Sequence, residues 1–365
     1  MLSSNIYKEE ISMSAQQNNV GAGLAPARDL ENMSFEERLQ LGAENAVRCM
    51  GIADQDRIFI MTDAEREGIA SRIVAAALAR HADVSVHFLE HYGTRPLTVF
   101  SDELRNDLLQ ARPTVTYYVA TSKPGEIAFR IPLLPFLTDE LKVRHGHMIG
   151  IDEALMAEGM CADYDEVFRL TNEVYALVRN AHTIHVTSAK GSDVTATFHQ
   201  DWQWVPCHGR YTEQGQWGNL PEGEVFTAPA TVDGVLVCDV LGDFLSERYG
   251  VLKHPVTLTV KDGYVTSVTS EDAAVEKDLH DYLFSAPNSN RAGEFAIGTL
   301  TSLKQLTGNL LQDEKMPGLH VAFGNPYPEH TGADWDANTH IDVIPTCCTI
   351  EVDGREIMRD GVFTI

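Results

Sequence analysis

The sequence predicts an α/β N-terminal domain with a largely parallel sheet, followed by an α+β, mostly antiparallel domain. Two observations predict it. From Phe35 to about residue 182, short β-rich runs alternate with helical ones, the rhythm of βαβ units with helices on both faces of a sheet. From residue 183 onward the runs are almost all strand-like and joined by glycine turns. A length of 365 residues suits two subdomains better than one. The expected division is a flexible tail over 1–30, an α/β domain over 31–182 and an α+β domain over 183–365.

The tail is polar, rich in Gly, Ser, Asn and Gln, and lacks the apolar core of a signal peptide. "FEERLQLGAENAVRCM" then has apolar residues at helical spacing, and "DRIFIMTD" is a short strand. "EREGIASRIVAAALARH" is a strong helix, followed by the strand "VSVHFLE". The helix "SDELRNDLLQAR" and the strand "TVTYYVATS" follow. "GEIAFRIPLLPFLTDELKV" reads as a helix broken at Pro132 and Pro135, and "HMIGID" as a strand. The helix "YDEVFRLTNEVYALVRN" closes the segment. No GxGxxG follows its first strand and no GxxxxGK[ST] occurs, so no nucleotide cofactor is expected. His145 and His147 in "RHGHMIG" precede a strand; they are either exposed loop residues or the lining of a pocket at the carboxyl ends of the strands.

In the second half "TIHVTSAKGSDVTATF" is a hairpin, with Gly191 at the turn position that needs φ > 0. "GVLVCDVLGDFL", "VTLTVKDGYVTSVTS", "GLHVAFG" and "CCTIEVDGREIMRDGVFTI" are strand-like. Only "EDAAVEKDLHDYLFSA" and "IGTLTSLKQLTG" read as helical.

The charge restricts the partners. Against 28 Lys+Arg stand 53 Asp+Glu, a net −25, which offers no basic footprint for nucleic acid or for an anionic membrane surface. No apolar run reaches membrane-spanning length. The six cysteines form no CxxC and fit buried thiols in a reduced, cytoplasmic setting. Cys347 and Cys348 point to opposite faces if extended, so packing is their expected role.

Chemistry concentrates in the β-rich half. In "ANTHIDVIPTCC", His340 and Asp342 stand two apart at the start of a strand and therefore share a face. A hydrogen-bonded His–Asp pair or a pair of metal ligands would each satisfy them. Three further stretches put a polar group where the pattern expects an apolar one. Glu224 follows Gly223 in "NLPEGEVFTAP", Glu294 follows Gly293 in "NRAGEFAIGTL", and His320 lies in "GLHVAFGNPYPEHTG" with Tyr327 seven residues on. Glycine before a ligand lets backbone approach an ion closely. Singly, each glutamate reads more readily as a capping or salt-bridged carboxylate, and His320 as a satisfied core histidine, than as a ligand. Together the five supply the mixed N and O donors that two divalent ions need if one carboxylate bridges them.

The order "LPEGEVFTAP … GEFAIG … LHVAFG…Y … HID" resembles the metallo-aminopeptidase family of aminopeptidases T and S, the thermophilic metalloproteases. The resemblance implies an α/β N-terminal domain, a metal-bearing C-terminal domain, a homodimer, and removal of N-terminal residues from peptides by two divalent ions (Zn, Co, Mn or Fe). Carried over by position, it implies the ligands Glu224, Glu294, His320, His340 and Asp342, with Tyr327 as the catalytic phenol. Glu224 is also the candidate proton carrier. Two departures bear on substrate preference: "VIPTCCTIEVDG" replaces an "FMIG"-like stretch after Asp342, and the acidic Glu222 precedes Gly223. The same scaffold resembles 2,5-dihydroxypyridine dioxygenases, which hold one Fe(II) with two His and one Asp; Glu294 stands where their first His would be. That makes mononuclear iron ring cleavage the alternative to peptide hydrolysis.

Overall fold

In the computed structural model, residues 30–365 are described; but for Leu30, the expected flexible tail lies outside them. In chain order the strands are β1 (Arg57–Thr62), β2 (Asp83–Phe88), β3 (Val115–Ala120), β4 (Arg144–Ile149), β5 (Thr183–Ser188), β6 (Asp193–Thr197) and β7 (Val205–Cys207). There follow β8 (Trp217–Asn219), β9 (Glu224–Thr227), β10 (Thr231–Cys238), β11 (Val240–Leu241), β12 (Val256–Lys261) and β13 (Tyr264–Ser270). The last are β14 (Ala292–Gly298), β15 (Gly318–Gly324), β16 (His340–Ile344), β17 (Cys348–Val352), β18 (Arg355–Arg359) and β19 (Val362–Phe363).

Two compact units form, Met1–Tyr164 with Gly209–Glu222, and Asp165–His208 with Gly223–Ile365. The sequence placed the division at 182. It falls earlier because Leu170, Val174 and Val178 of the helix Tyr164–Val178 enter the core of the second unit.

The first unit is built on a parallel sheet in the order β2-β1-β3-β4-β8. Strand β3 is buried throughout, as a parallel strand covered on both faces must be. On one face the Tyr117 hydroxyl donates to the Ala46 carbonyl of the helix Phe35–Cys49. On the other, Phe59, Met61 and Tyr118 pack with Leu104, Leu108, Phe129 and Leu133. The first helix begins as its sequence dictates: Ser34 and Glu37 form a reciprocal capping box.

Two expectations here are corrected. Pro132 does not break its helix, which runs Ile127–Pro135 and then widens into a π-turn over Phe136–Glu140. His145 and His147 are not loop residues. They lie buried within β4, where His145 bonds Thr116 and His147, and His147 meets Arg130. Burial pushes the His145 imidazole down to about 3, so it stays neutral. At the carboxyl ends of β1 and β3 the buried Asp63 and Glu126 both pair with Arg95, which closes that edge with ion pairs.

The second unit has two antiparallel sheets, ordered β13-β12-β10-β6-β5-β17-β18-β19 and β11-β16-β15-β14-β9-β7. Ile184, Val186, Val232 and Leu258 of the first sheet share one core with Val225, Phe295, Val321 and Val343 of the second. The Asp262–Gly263 turn between β12 and β13 has φ of 51° and 81°, the hairpin geometry its sequence encodes. "IGTLTSLKQLTG" is not a helix. After β14 the chain is irregular because the Asp313 carboxylate takes the amides of Thr307 and Gly308. Cys348 packs in the core as expected, whereas Cys347 is exposed at φ 54°. Among the described residues no helix is long and apolar enough to cross a membrane.

Candidate metal centre

Four neighbouring strands, β9, β14, β15 and β16, carry the five candidate ligands. Pairing register decides which side chains share a face, and it sets Glu224 opposite Gly298, Glu294 opposite Ala322, Ala296 opposite His320, Ala322 opposite Asp342, and Gly324 opposite His340. Directly opposed residues point the same way, so all five ligands project from one face. Between these four strands every partner across the ladder is Ala or Gly, and only on the outer side does Glu224 face Cys207 of β7. The side chains therefore stand over a floor of Ala296, Gly298, Ala322 and Gly324, with nothing longer than a methyl between them. The alternate residues Val225, Phe295, Ile297, Val321, Phe323, Ile341 and Val343 point into the core.

Glycine matters at two points. The register shifts between Ala292 and Glu294, and a Cβ on Gly293 would sit 2.3 Å from the Gly324 carbonyl. Without glycine there, Glu294 could not be delivered to this face. At Gly298 a Cβ would meet the Met316 carbonyl at 2.1 Å, so glycine also lets the segment before β15 close over the end of β14.

The ligand atoms converge. His320 Nε2 lies 3.4 Å from Glu224 Oε2 and 3.5 Å from Glu294 Oε1. His340 Nε2 lies 3.4 Å from Glu294 Oε2 and 3.8 Å from Asp342 Oδ2. These exceed the roughly 2.7–3.2 Å of a good hydrogen bond. They match the spacing of two donors about 2.1 Å from one tetrahedral ion, which is about 3.4 Å. Two triads result, Glu224–Glu294–His320 and Glu294–His340–Asp342, and Glu294 belongs to both through different oxygens.

The surroundings support that arrangement. His340 Nδ1 is 3.0 Å from the Asn325 carbonyl, to which it donates, leaving Nε2 to face the carboxylates. The His340 backbone is held as well, its N–H donating to the Tyr282 hydroxyl. Burial lowers the proton affinity of both imidazoles, but the facing carboxylates outweigh it: His320 is raised to about 9, and His340 also rises. Burial and the neighbouring Glu314 raise Asp342, although His340 pulls it back. Glu294 is lowered, because His320, His340 and Lys315 overcome its desolvation.

Tyr327 adopts a left-handed conformation (φ 49°, ψ 61°) fixed by its amide donating to Asn325 Oδ1. That turns the ring to within 4.8 Å of the His340 ring centroid and 6.1 Å of Phe226. Burial, then Glu294 and Asp342, hold its phenol far above the usual range, so it keeps its proton and can donate. His340 is the most exposed of the five ligands, 21% against 2–8% for the others, so solvent reaches the site beside it.

Sequence reasoning missed Glu314 and Lys315. Glu314 lies within ligand distance of His320 and Asp342. Lys315 is 1% exposed, its ammonium 2.8 Å from Glu224 and 2.7 Å from Glu314. An acidic–basic pair before "MPG" has the pattern of a solvated turn, and nothing local marks it as buried. Glu222 lies in the first unit, where its carboxylate accepts from the Tyr211 hydroxyl.

Comparison with known proteins follows the same line. A family model for thermophilic metalloproteases (M29) matches residues 155–342, just over half the chain and inclusive of all six site residues. No curated protein gives a significant sequence match. Two solved structures share the fold, each at a TM-score of 0.65. One is 2,5-dihydroxypyridine dioxygenase from Pseudomonas putida KT2440, 18% identical over 91% of this chain and 98% of that one. The other is wild-type AmpT from Thermus thermophilus, 17% identical over 91% of this chain and all of that one. With the family match embracing the whole constellation on β9, β14, β15 and β16, the chain belongs to the thermophilic metalloprotease family M29.

Proposed function

We propose that the protein is a metallo-aminopeptidase that releases the N-terminal residue of a peptide, using two divalent ions held by Glu224, Glu294, His320, His340 and Asp342. The observation that carries the reading is Glu294, which offers one oxygen toward His320 and the other toward His340. Five donors with a shared carboxylate suit two ions better than the single two-His, one-carboxylate face of an iron oxygenase. The oxygen and imidazole donors admit Zn, Co, Mn or Fe.

When bound, two divalent ions supply a water of lowered pKa, polarisation of the scissile carbonyl and an anchor for the free α-amine. The chain's own groups do the rest. Tyr327, kept protonated, donates to the oxyanion that develops on the scissile carbonyl. The carboxylate of Glu224 takes the proton lost by the attacking water and passes it to the departing amine as the C–N bond breaks. Asn325 holds His340 in one tautomer, and the Ala/Gly floor keeps the ligand face clear. The same reading makes the protein a cytoplasmic homodimer whose partner is a peptide or small molecule, not nucleic acid or membrane.

Exhaustive chelation should abolish release of free amino acid from a dipeptide, and added divalent metal should restore it. Turnover by protein shown to be metal-free would overturn the proposal. Tyr327→Phe should lower kcat by roughly 10²–10³ with bound metal unchanged; a purely structural tyrosine would instead lower the melting temperature and leave kcat near normal.

The raised imidazoles set a pH dependence. A cation held at Nε2 must displace a proton that His320 keeps up to about pH 9, so affinity falls as pH drops below 9. The dissociation constant for Mn²⁺ should therefore be at least about tenfold larger at pH 6.5 than at pH 8.5. An affinity independent of pH across that window would contradict the assignment of His320.

A further inference from the structure

Strand β16 carries two of the five ligands, and part of its edge has no strand beside it. On one side it pairs with β15 from His340 to Val343. On the other, β11 pairs only Leu241 and Val240, with Val343 and Ile344. The Gly242 N–H still reaches the Asp342 carbonyl, and the chain then turns away at Asp243, whose φ is 51°. Residues two apart on a strand direct their backbone bonds to the same side, so the His340 peptide groups face this edge too. Among the described residues no strand takes them there.

The Tyr282 hydroxyl takes them instead. It projects from the helix Ala273–Leu283, accepts from the His340 N–H at 3.2 Å and lies 3.0 Å from the His340 carbonyl. It also lies 2.7 Å from Asp243 Oδ2. A phenol has one proton and two lone pairs. The shorter approach to a carboxylate claims the proton, which leaves a lone pair facing the His340 N–H. Asp243 thus orients the hydroxyl, and the hydroxyl holds the His340 peptide where a strand would otherwise hold it.

A second pair of the same kind joins the same two helices, Asp243–Tyr249 and Ala273–Leu283. The Tyr249 hydroxyl donates to Asp278 Oδ2, also at 2.7 Å, and both tyrosines pack against one core. Of the two, only Tyr282 bonds a candidate ligand residue.

We infer that Tyr282, oriented by Asp243, is a positioning residue for the metal ligand His340: its hydroxyl caps the open edge of β16 and so keeps the imidazole in place among the carboxylates. The inference rests on the reading above only in taking His340 as a ligand. The ring is held separately, at Nδ1, by the Asn325 carbonyl.

The test is Mn²⁺ binding to metal-stripped full-length protein by equilibrium dialysis, for the unmodified chain, Tyr282→Phe and Tyr249→Phe. Circular dichroism and the melting temperature report folding for each. Tyr282→Phe should raise the dissociation constant of at least one ion by at least about tenfold, the usual scale for losing a group that supports a ligand. Tyr249→Phe removes a matching tyrosine–carboxylate bond and should leave every constant within about threefold. Asp243→Gly keeps the left-handed turn but no longer orients the hydroxyl. It should weaken the same ion at least about threefold, and it serves should Tyr282→Phe fail to fold. Unchanged binding in a folded Tyr282→Phe or Asp243→Gly, or an equal loss in Tyr249→Phe, would overturn the inference and leave the two-ion reading standing. A single ion per unmodified chain, weakened tenfold by Tyr282→Phe, would support the inference and overturn the two-ion reading.

Discussion

Glu294→Gln should lose metal at both positions and peptide hydrolysis with it. Glutamine keeps the shape of the side chain but offers one carbonyl oxygen where Glu294 presents Oε1 to His320 and Oε2 to His340. It also removes one negative charge from each triad at once. Metal analysis after dialysis should fall to well under one ion per chain, and activity on a dipeptide should drop at least about 10³-fold, the scale of losing an essential electrostatic contributor. The fold should persist, because Phe295 and Ile297 on the same strand point the other way into the core. If Glu294 were only a hydrogen-bonded core carboxylate, the substitution would cost about 1–3 kcal/mol of stability and leave metal content unchanged.

The second large effect comes from a residue that binds nothing. Ala322 lies directly between Glu294 on β14 and Asp342 on β16. Ala322→Leu would add three carbons where those carboxylates meet their histidines, so metal affinity should fall at least about 100-fold though all five ligands remain. Overpacking should cost a further ~1–3 kcal/mol. Val343→Ala, on the opposite face of β16, is the control. It should lower stability by a similar amount through the cavity it leaves, and retain metal. Loss of metal in both variants, or in neither, would mean that the two faces of the sheet are not divided as described.

Some of this was legible in the chain itself. "HID" reads as a strand with its polar residues on one face, and β16 is that strand. "GEFAIG" and "LHVAFG" alternate a ligand or small residue with a large apolar one, which is the two-faced pattern of β14 and β15. What no local pattern contains is the register between strands. Only register turns the alanines and glycines of β14 and β15 into one floor and splits Glu294 between two histidines. The buried ammonium of Lys315 was hidden for a related reason, since its partners Glu224 and Glu314 include one from a strand ninety residues away in the chain. Helical spacing misled at "IGTLTSLKQLTG", where Asp313 captures backbone amides that a helix would have needed. It was also too cautious at Pro132, which lies inside the helix Ile127–Pro135.

The central claim is that one face of this sheet holds two divalent ions and directs them at the free N-terminus of a peptide. The most direct measurement is a titration of metal-stripped protein with Mn²⁺, following amino-acid release from a dipeptide and from its N-acetylated form. The account predicts release from the free dipeptide alone, rising to a maximum as the second ion per chain is bound. Full activity at one ion per chain, equal cleavage of the acetylated dipeptide, or oxygen uptake with 2,5-dihydroxypyridine in place of any hydrolysis would contradict it.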